Sequence, residues 1–114
     1  MDIILENSAN TSMDNIFYYN LKYSSYYAVE TDKIIKSYIN DLLDFPYMGR
    51  CIPELTDKRF REIIYIQDRS SVYRIMYFIS NKTNTIYVFY VINSKQNFNQ
   101  ILKQNNYFTH YFKF

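Results

Sequence analysis

The chain has 114 residues, with 13 Lys and Arg against 11 Asp and Glu and a formal net charge of +2. A single Cys excludes an internal disulfide, and one Cys with one His excludes a metal site built from clusters of these residues. One Gly and two Pro are unlike the composition of a disordered or loop-rich chain. We therefore predict one domain over residues 1–114, with no metal ion and no cofactor.

The charge is divided along the chain. Residues 1–46 carry three Lys and seven acidic residues, a net charge of −4, whereas residues 47–114 carry ten Lys and Arg and four acidic residues, a net charge of +6. The second segment is a candidate for contact with nucleic acid or an acidic protein surface. The alternative is that the charges mix once the chain folds.

The sequence gives no sign of a membrane or secretory segment. No apolar run approaches the roughly 18 residues of a membrane helix, and no signal peptide is visible. We therefore expect a cytoplasmic protein without membrane contact.

The first half of the chain predicts a strand and two helices. A short apolar run predicts a strand over 2–6, and apolar residues spaced by three and four then predict helices over 8–22 and 26–44. Ser24 can cap the second helix, because its side-chain oxygen accepts a hydrogen bond from a free N–H group. Pro46 ends that helix, because proline disfavours helical geometry in the residue before it. The short connection predicts an antiparallel helical hairpin.

The second half predicts a sheet. The loop 47–56 contains the only glycine, Gly49, for which we expect a positive φ. Alternating apolar residues predict strands over 57–66 and 72–79. An apolar run over 85–93 predicts a central strand that is either covered on both faces or paired on both edges. Short turns make these three strands antiparallel. The predicted fold class is α+β, a two-layer domain with the N-terminal helical hairpin packed on an antiparallel sheet.

The C-terminal segment predicts a short helix over 95–104 and an aromatic tail over 105–114, which includes His110. The tail either adds a strand or packs over the sheet, because exposed aromatic side chains in this number would promote association. A tail that binds a partner is the alternative.

Two arginines on neighbouring predicted strands are the strongest candidates for chemistry. Arg61 and Arg74 can each bind phosphate or carboxylate through two parallel hydrogen bonds. The alternative is that one of them pairs with Glu54 or Glu62 and only fixes the loop.

The order of these residues resembles the signature of the RelE/ParE superfamily of bacterial toxins. A loop marked by proline and glycine follows two helices, and strands reading R-E-I and Y-R-I-x-Y come next. The matching residues are Pro46, Gly49, Arg50, Pro53, Glu54, Leu55, Arg61, Glu62, Ile63, Tyr73, Arg74, Tyr77 and the strand 86–92. The resemblance implies a RelE/ParE-like fold and a toxin of a type II toxin–antitoxin module. It also implies a cognate antitoxin, encoded beside the toxin, that forms a hetero-oligomer with it.

The resemblance allows two mechanisms, of which the first is enzymatic. RelE-like members cut messenger RNA on the ribosome, and by resemblance Arg61, Arg74 and Tyr90 would be the catalytic residues. The late position that carries histidine in many members is Asn93 here. Asparagine is neither a general acid nor a general base, which disfavours this branch.

The second mechanism is binding without hydrolysis. ParE-like members inhibit DNA gyrase, and we favour this branch because the sequence lacks a good catalytic set. The candidate target-binding residues are Arg50, Lys58, Arg59 and Lys95. A third hypothesis is a solitary family member without toxic activity.

Overall fold

A computed structural model of the chain describes residues 1–94 and residue 96. Its elements are β1 (Asp2–Leu5), α1 (Asn7–Leu21), α2 (Ser25–Asp41), β2 (Arg50–Cys51), β3 (Phe60–Asp68), β4 (Ser71–Ser80) and β5 (Thr85–Asn93). Apart from Gln96, the predicted helix over 95–104 and the tail over 105–114 lie outside the described residues. Among the described helices, none combines the length and apolar character needed to cross a bilayer.

The predicted α+β fold is confirmed, with two helices packed on a five-stranded sheet of order β1-β5-β4-β3-β2. The three strands predicted from the sequence, β3, β4 and β5, pair antiparallel as expected. β2 lies within the stretch 47–56 that was predicted to be a loop, and it pairs antiparallel with β3. β1 pairs with β5 in parallel, so the whole sheet is mixed rather than antiparallel. β5 is the predicted central strand, and it is paired on both edges, with β1 and β4.

Local sequence sets the helix boundaries. The Ser24 side chain accepts a hydrogen bond from the Tyr27 N–H (3.2 Å) and caps α2, as predicted. α2 ends at Asp41, three residues before the predicted end. Leu42, Leu43 and Asp44 each donate to a carbonyl three residues back, so the chain tightens into turns ahead of the proline.

The sheet has an inner face, which meets the helices, and an outer face on the opposite side. Both carry a core, and alternation assigns side chains to them: Ile75 and Tyr77 are buried on the inner face, Met76 and Phe78 on the outer face. Ile52, from the loop after β2, covers part of the outer face. Each buried side chain of this size contributes roughly 1.5–3 kcal/mol to stability.

A β-bulge in β5 fixes α1 to the sheet. Met76 pairs with Tyr90 and the next residue of β4 pairs with Val88, so β5 has one extra residue, Phe89, at this point. Two serines of α1 satisfy the backbone around the bulge: Ser8 donates to the carbonyl of Phe89, and Ser12 accepts from the N–H of Val91 at 3.0 Å. The bulge brings Phe89 and Tyr90 to the outer face together.

Candidate functional site

The loop between α2 and β3 lies close against the sheet at Gly49. Its N–H donates a hydrogen bond to the Tyr77 hydroxyl at 2.9 Å. A Cβ on Gly49 would lie 2.6 Å from the Glu62 carbonyl oxygen and 2.7 Å from the Tyr77 hydroxyl oxygen. The φ of Gly49 is not positive, so our prediction of a left-handed conformation was wrong. Glycine is required here because the two backbones approach so closely.

Arg61 holds the same loop from the inner face. Its Nη1 donates to the Gly49 carbonyl at 2.8 Å. Its guanidinium carbon lies 5.1 Å from the centre of the Tyr47 ring, within range of a cation–π interaction. Arg61 therefore bonds to backbone and ring atoms of its own chain, which suits it to positioning the loop.

A network of four charged side chains joins the loop to the outer face. We call Arg50, Glu54, Glu62 and Arg74 the Glu62 network. Glu62 is completely buried, and its two oxygens accept from Nε of Arg50 (2.8 Å) and Nε of Arg74 (2.6 Å). The two terminal nitrogens of Arg74 donate to the two carboxylate oxygens of Glu54 at 2.8 and 2.7 Å. The network contains two cations and two anions and is neutral overall.

The Glu62 network stabilises its own charges. Hydrogen bonds from Arg74 lower the pKa of Glu54, and the hydrogen bonds to Glu54 are the main cause of a raised pKa for Arg74. The Arg74 side chain is only 13% exposed. A guanidinium buried to this extent requires carboxylate partners, and the pairing that the sequence left open as an alternative is the one that the structure shows.

The two predicted catalytic arginines do not lie in one site. Arg61 pairs in register with Tyr77, an inner-face residue, whereas Arg74 lies on the outer face with Met76. Tyr90, the third candidate, is half-buried and packs against the outer-face core, so it shares a face with Arg74 and not with Arg61. It also lines a groove beside α1. Successive side chains of a strand point to opposite faces of the sheet. Because Arg61 and Arg74 lie on opposite faces, they cannot bind one phosphate together.

The candidate target-binding residues differ in how far they are engaged. Arg59 binds Asp57 through Nε and Nη2, and these bonds lower the pKa of Asp57. Lys58 is exposed beside this pair. Arg50 is 59% exposed and contacts Glu62 through Nε alone among its side-chain nitrogens. Lys95 lies outside the described residues.

A groove of about 490 Å³ lies between α1 and the ends of β4 and β5. It was not predicted from the sequence, because its walls come from distant segments. Hydroxyl and amide side chains predominate among its lining residues, which include Ser12, Asn15, Tyr19, Ser71 and Asn93. Across residues 1–94 and 96, no three His, Cys, Asp or Glu side chains converge to hold a metal ion.

A protein-family model described as "ParE toxin of type II toxin-antitoxin system, parDE" matches residues 3–98. The fold is similar to a solved structure titled "Chromosomal ParDE TA system from P. aeruginosa", with a TM-score of 0.61 and 13% sequence identity. That match covers 82% of this chain and 95% of that chain, and at this identity it supports the fold alone. No curated protein matches significantly. The match over residues 3–98 shows that the chain belongs to the ParE toxin family of type II toxin–antitoxin systems.

Proposed function

We propose that this toxin inhibits DNA gyrase by binding it and that it does not cleave RNA. As a ParE-family toxin of a type II system, it has an antitoxin as its partner. The observation that carries the mechanism is the separation of Arg61 and Arg74 onto opposite faces, each bonded within its own chain.

Cleavage of RNA requires proton transfer as well as charge stabilisation. A general acid or base each contributes roughly 10²–10⁴-fold in rate. Arginine is a poor proton carrier, because its guanidinium stays protonated at physiological pH, and Arg74 is already paired with two carboxylates. Asn93 supplies no acid or base at the end of β5. Together these features favour a toxin that acts by binding.

Exposed cations beside β2 are the proposed contact with the target. Arg50 presents its terminal nitrogens beyond the bond to Glu62, and Lys58 is exposed nearby in sequence. Exposed charges of this kind raise association rates and select the partner more than they add affinity. Arg59 is a weaker candidate because its guanidinium binds Asp57, and Lys95 remains a proposed contact.

The proposal is tested by supercoiling of relaxed plasmid by purified gyrase in the presence of the toxin. We expect inhibition, and we expect Lys58→Ala to raise the toxin concentration for half-inhibition by about two- to fivefold, as for one exposed ionic contact. Lys82→Ala, which removes an exposed charge in the β4–β5 turn, is the matched control and should leave inhibition unchanged. Excess antitoxin should restore supercoiling.

A parallel ribosome-containing translation reaction tests the alternative activity. We expect the messenger RNA to stay intact at toxin concentrations that stop gyrase. Cuts at defined codons that disappear in the Tyr90→Phe variant would contradict the proposal and place the protein among the ribosome-dependent endoribonucleases.

A further inference from the structure

The outer edge of β3 is only partly covered. β2 pairs with β3 at Arg61 and Glu62 alone, although β3 extends over Phe60–Asp68. Hydrogen bonds alternate along an antiparallel strand, so that successive residues bond to opposite neighbours. Since Ile52 donates to the Phe60 carbonyl from the β2 side, the even-numbered residues of β3 direct their N–H and C=O groups away from β4.

Two residues therefore present unpaired backbone groups at this edge. The N–H and C=O groups of Ile64 and Ile66 face outward, and within residues 1–94 and 96 no strand pairs with them on that side. Ile66 is 69% exposed although it lies within a strand. Natural edge strands are usually protected by lysine, proline or a covering element, and the stretch 63–67 contains neither residue.

The loop before β2 extends this surface with apolar side chains. Phe45, Tyr47 and Met48 are all exposed. The loop lies at the β3 edge because Arg61 of β3 bonds to the Gly49 carbonyl and lies against the Tyr47 ring. An open strand edge and an exposed apolar loop thus form one continuous surface.

We propose that an extended segment of the antitoxin adds to β3 at Ile64 and Ile66 as a sixth strand of the sheet. The inference rests on the toxin–antitoxin pairing in the proposed function and adds the place and mode of contact. The segment would carry apolar side chains at alternate positions, to cover Ile66 and the loop. It would also place a carboxylate near Arg50, whose exposed side chain lies at the start of β2.

The interface area that each partner could bury favours an antitoxin segment over a second copy of the chain. Two copies paired edge to edge through Ile64 and Ile66 would share only a few residues, whereas stable interfaces bury about 1,200–2,000 Å². A segment of a larger partner does not have this limit, because it can combine strand pairing with contacts on Tyr47 and Met48 and elsewhere.

Hydrogen exchange on the toxin, free and in complex with the purified antitoxin encoded beside its gene, tests the proposal. We expect the amides of Ile64 and Ile66 to exchange fast in the free toxin and to become protected in the complex by at least about tenfold. The amides of Ile63 and Tyr65 bond to β4 and serve as internal controls that are protected in both states.

Variants at Ile66 provide the second measurement. Ile66→Pro removes the outward N–H and no bond to β4, and proline is tolerated on an edge strand in this orientation. We expect it to weaken antitoxin binding by roughly tenfold, about the effect of one lost hydrogen bond and its flanking contacts. Ile66→Lys, which keeps the donor, should weaken binding through lost apolar contact. Tyr23→Lys is the control, since Tyr23 is equally exposed but lies in the turn between the helices.

Each contrary outcome has a distinct meaning. A complex that forms with Ile64 and Ile66 unprotected would overturn this inference and leave the proposed function standing. Absence of any complex would overturn the toxin–antitoxin pairing as well. Protection that grows with the concentration of toxin alone would assign the edge to a second copy and contradict the proposal.

Discussion

Replacing Arg74 by methionine removes the central cation of the Glu62 network and keeps a side chain of similar length. Among the described residues, Glu62 would retain the hydrogen bond from Arg50, and Glu54 would lose both hydrogen bonds from Arg74. Removing one member of a buried ion pair typically costs about 3–5 kcal/mol, because a buried charge is left uncompensated. Since Arg50 still holds one oxygen of Glu62, we expect about 3 kcal/mol of lost stability.

That loss is large for a domain of this size. The total free energy of unfolding of such domains is roughly 5–15 kcal/mol, and about 3 kcal/mol corresponds to a fall in melting temperature of roughly 10 °C. Urea unfolding followed by circular dichroism measures the change in free energy. The slope of the transition should stay constant, because the surface exposed on unfolding is nearly the same.

Two further variants separate the network from a general effect of losing arginine. Arg59→Met removes an exposed pair with Asp57 and should have a much smaller effect than Arg74→Met. The double variant Glu62→Leu with Arg74→Met removes both buried charges and should recover part of the loss. Equal destabilisation by Arg59→Met and Arg74→Met would refute the reasoning, because the buried position of Arg74 would then have no energetic consequence.

Two more predictions concern the loop. Gly49→Ala should lower the free energy of unfolding by about 1–3 kcal/mol, because the added Cβ would overlap the Tyr77 hydroxyl; a melting curve unchanged from wild type would contradict the close approach. The pKa of Glu54 is lowered from its ordinary value of 4.5 by Arg74. Its contribution to stability is therefore present above about pH 4.5 and lost as the pH falls through the lower folded-state pKa. Unfolding midpoints between about pH 6 and 3 should fall less steeply for Glu54→Gln, and parallel curves would contradict the pairing.

Local pattern was sufficient to predict most of the fold. Spacing of apolar residues located both helices, and alternation separated Ile75 and Tyr77 from Met76 and Phe78 correctly. The Ser24 cap was visible because it depends on residues within one turn. The parallel pairing of β1 with β5 was missed, because it joins segments about 80 residues apart that carry no local signal of each other.

The candidate site was harder to predict because its interactions are distant in sequence. The requirement for Gly49 comes from Tyr77, 28 residues away, and not from the conformation of the loop itself. Arg61 and Arg74 were expected to act together because they lie on neighbouring strands. In the observed register of β3 with β4, however, their side chains lie on opposite faces of the sheet. The Glu62 network explains several residues of the superfamily signature as the means by which the loop is held on the sheet.

Induction of the toxin in growing cells, with DNA damage signalling and messenger RNA followed in the same time course, tests the proposed mechanism most directly. A gyrase poison should trigger the DNA damage response while messenger RNA remains intact, and co-expression of the antitoxin should abolish that response. Loss of messenger RNA before any sign of DNA damage would contradict the account.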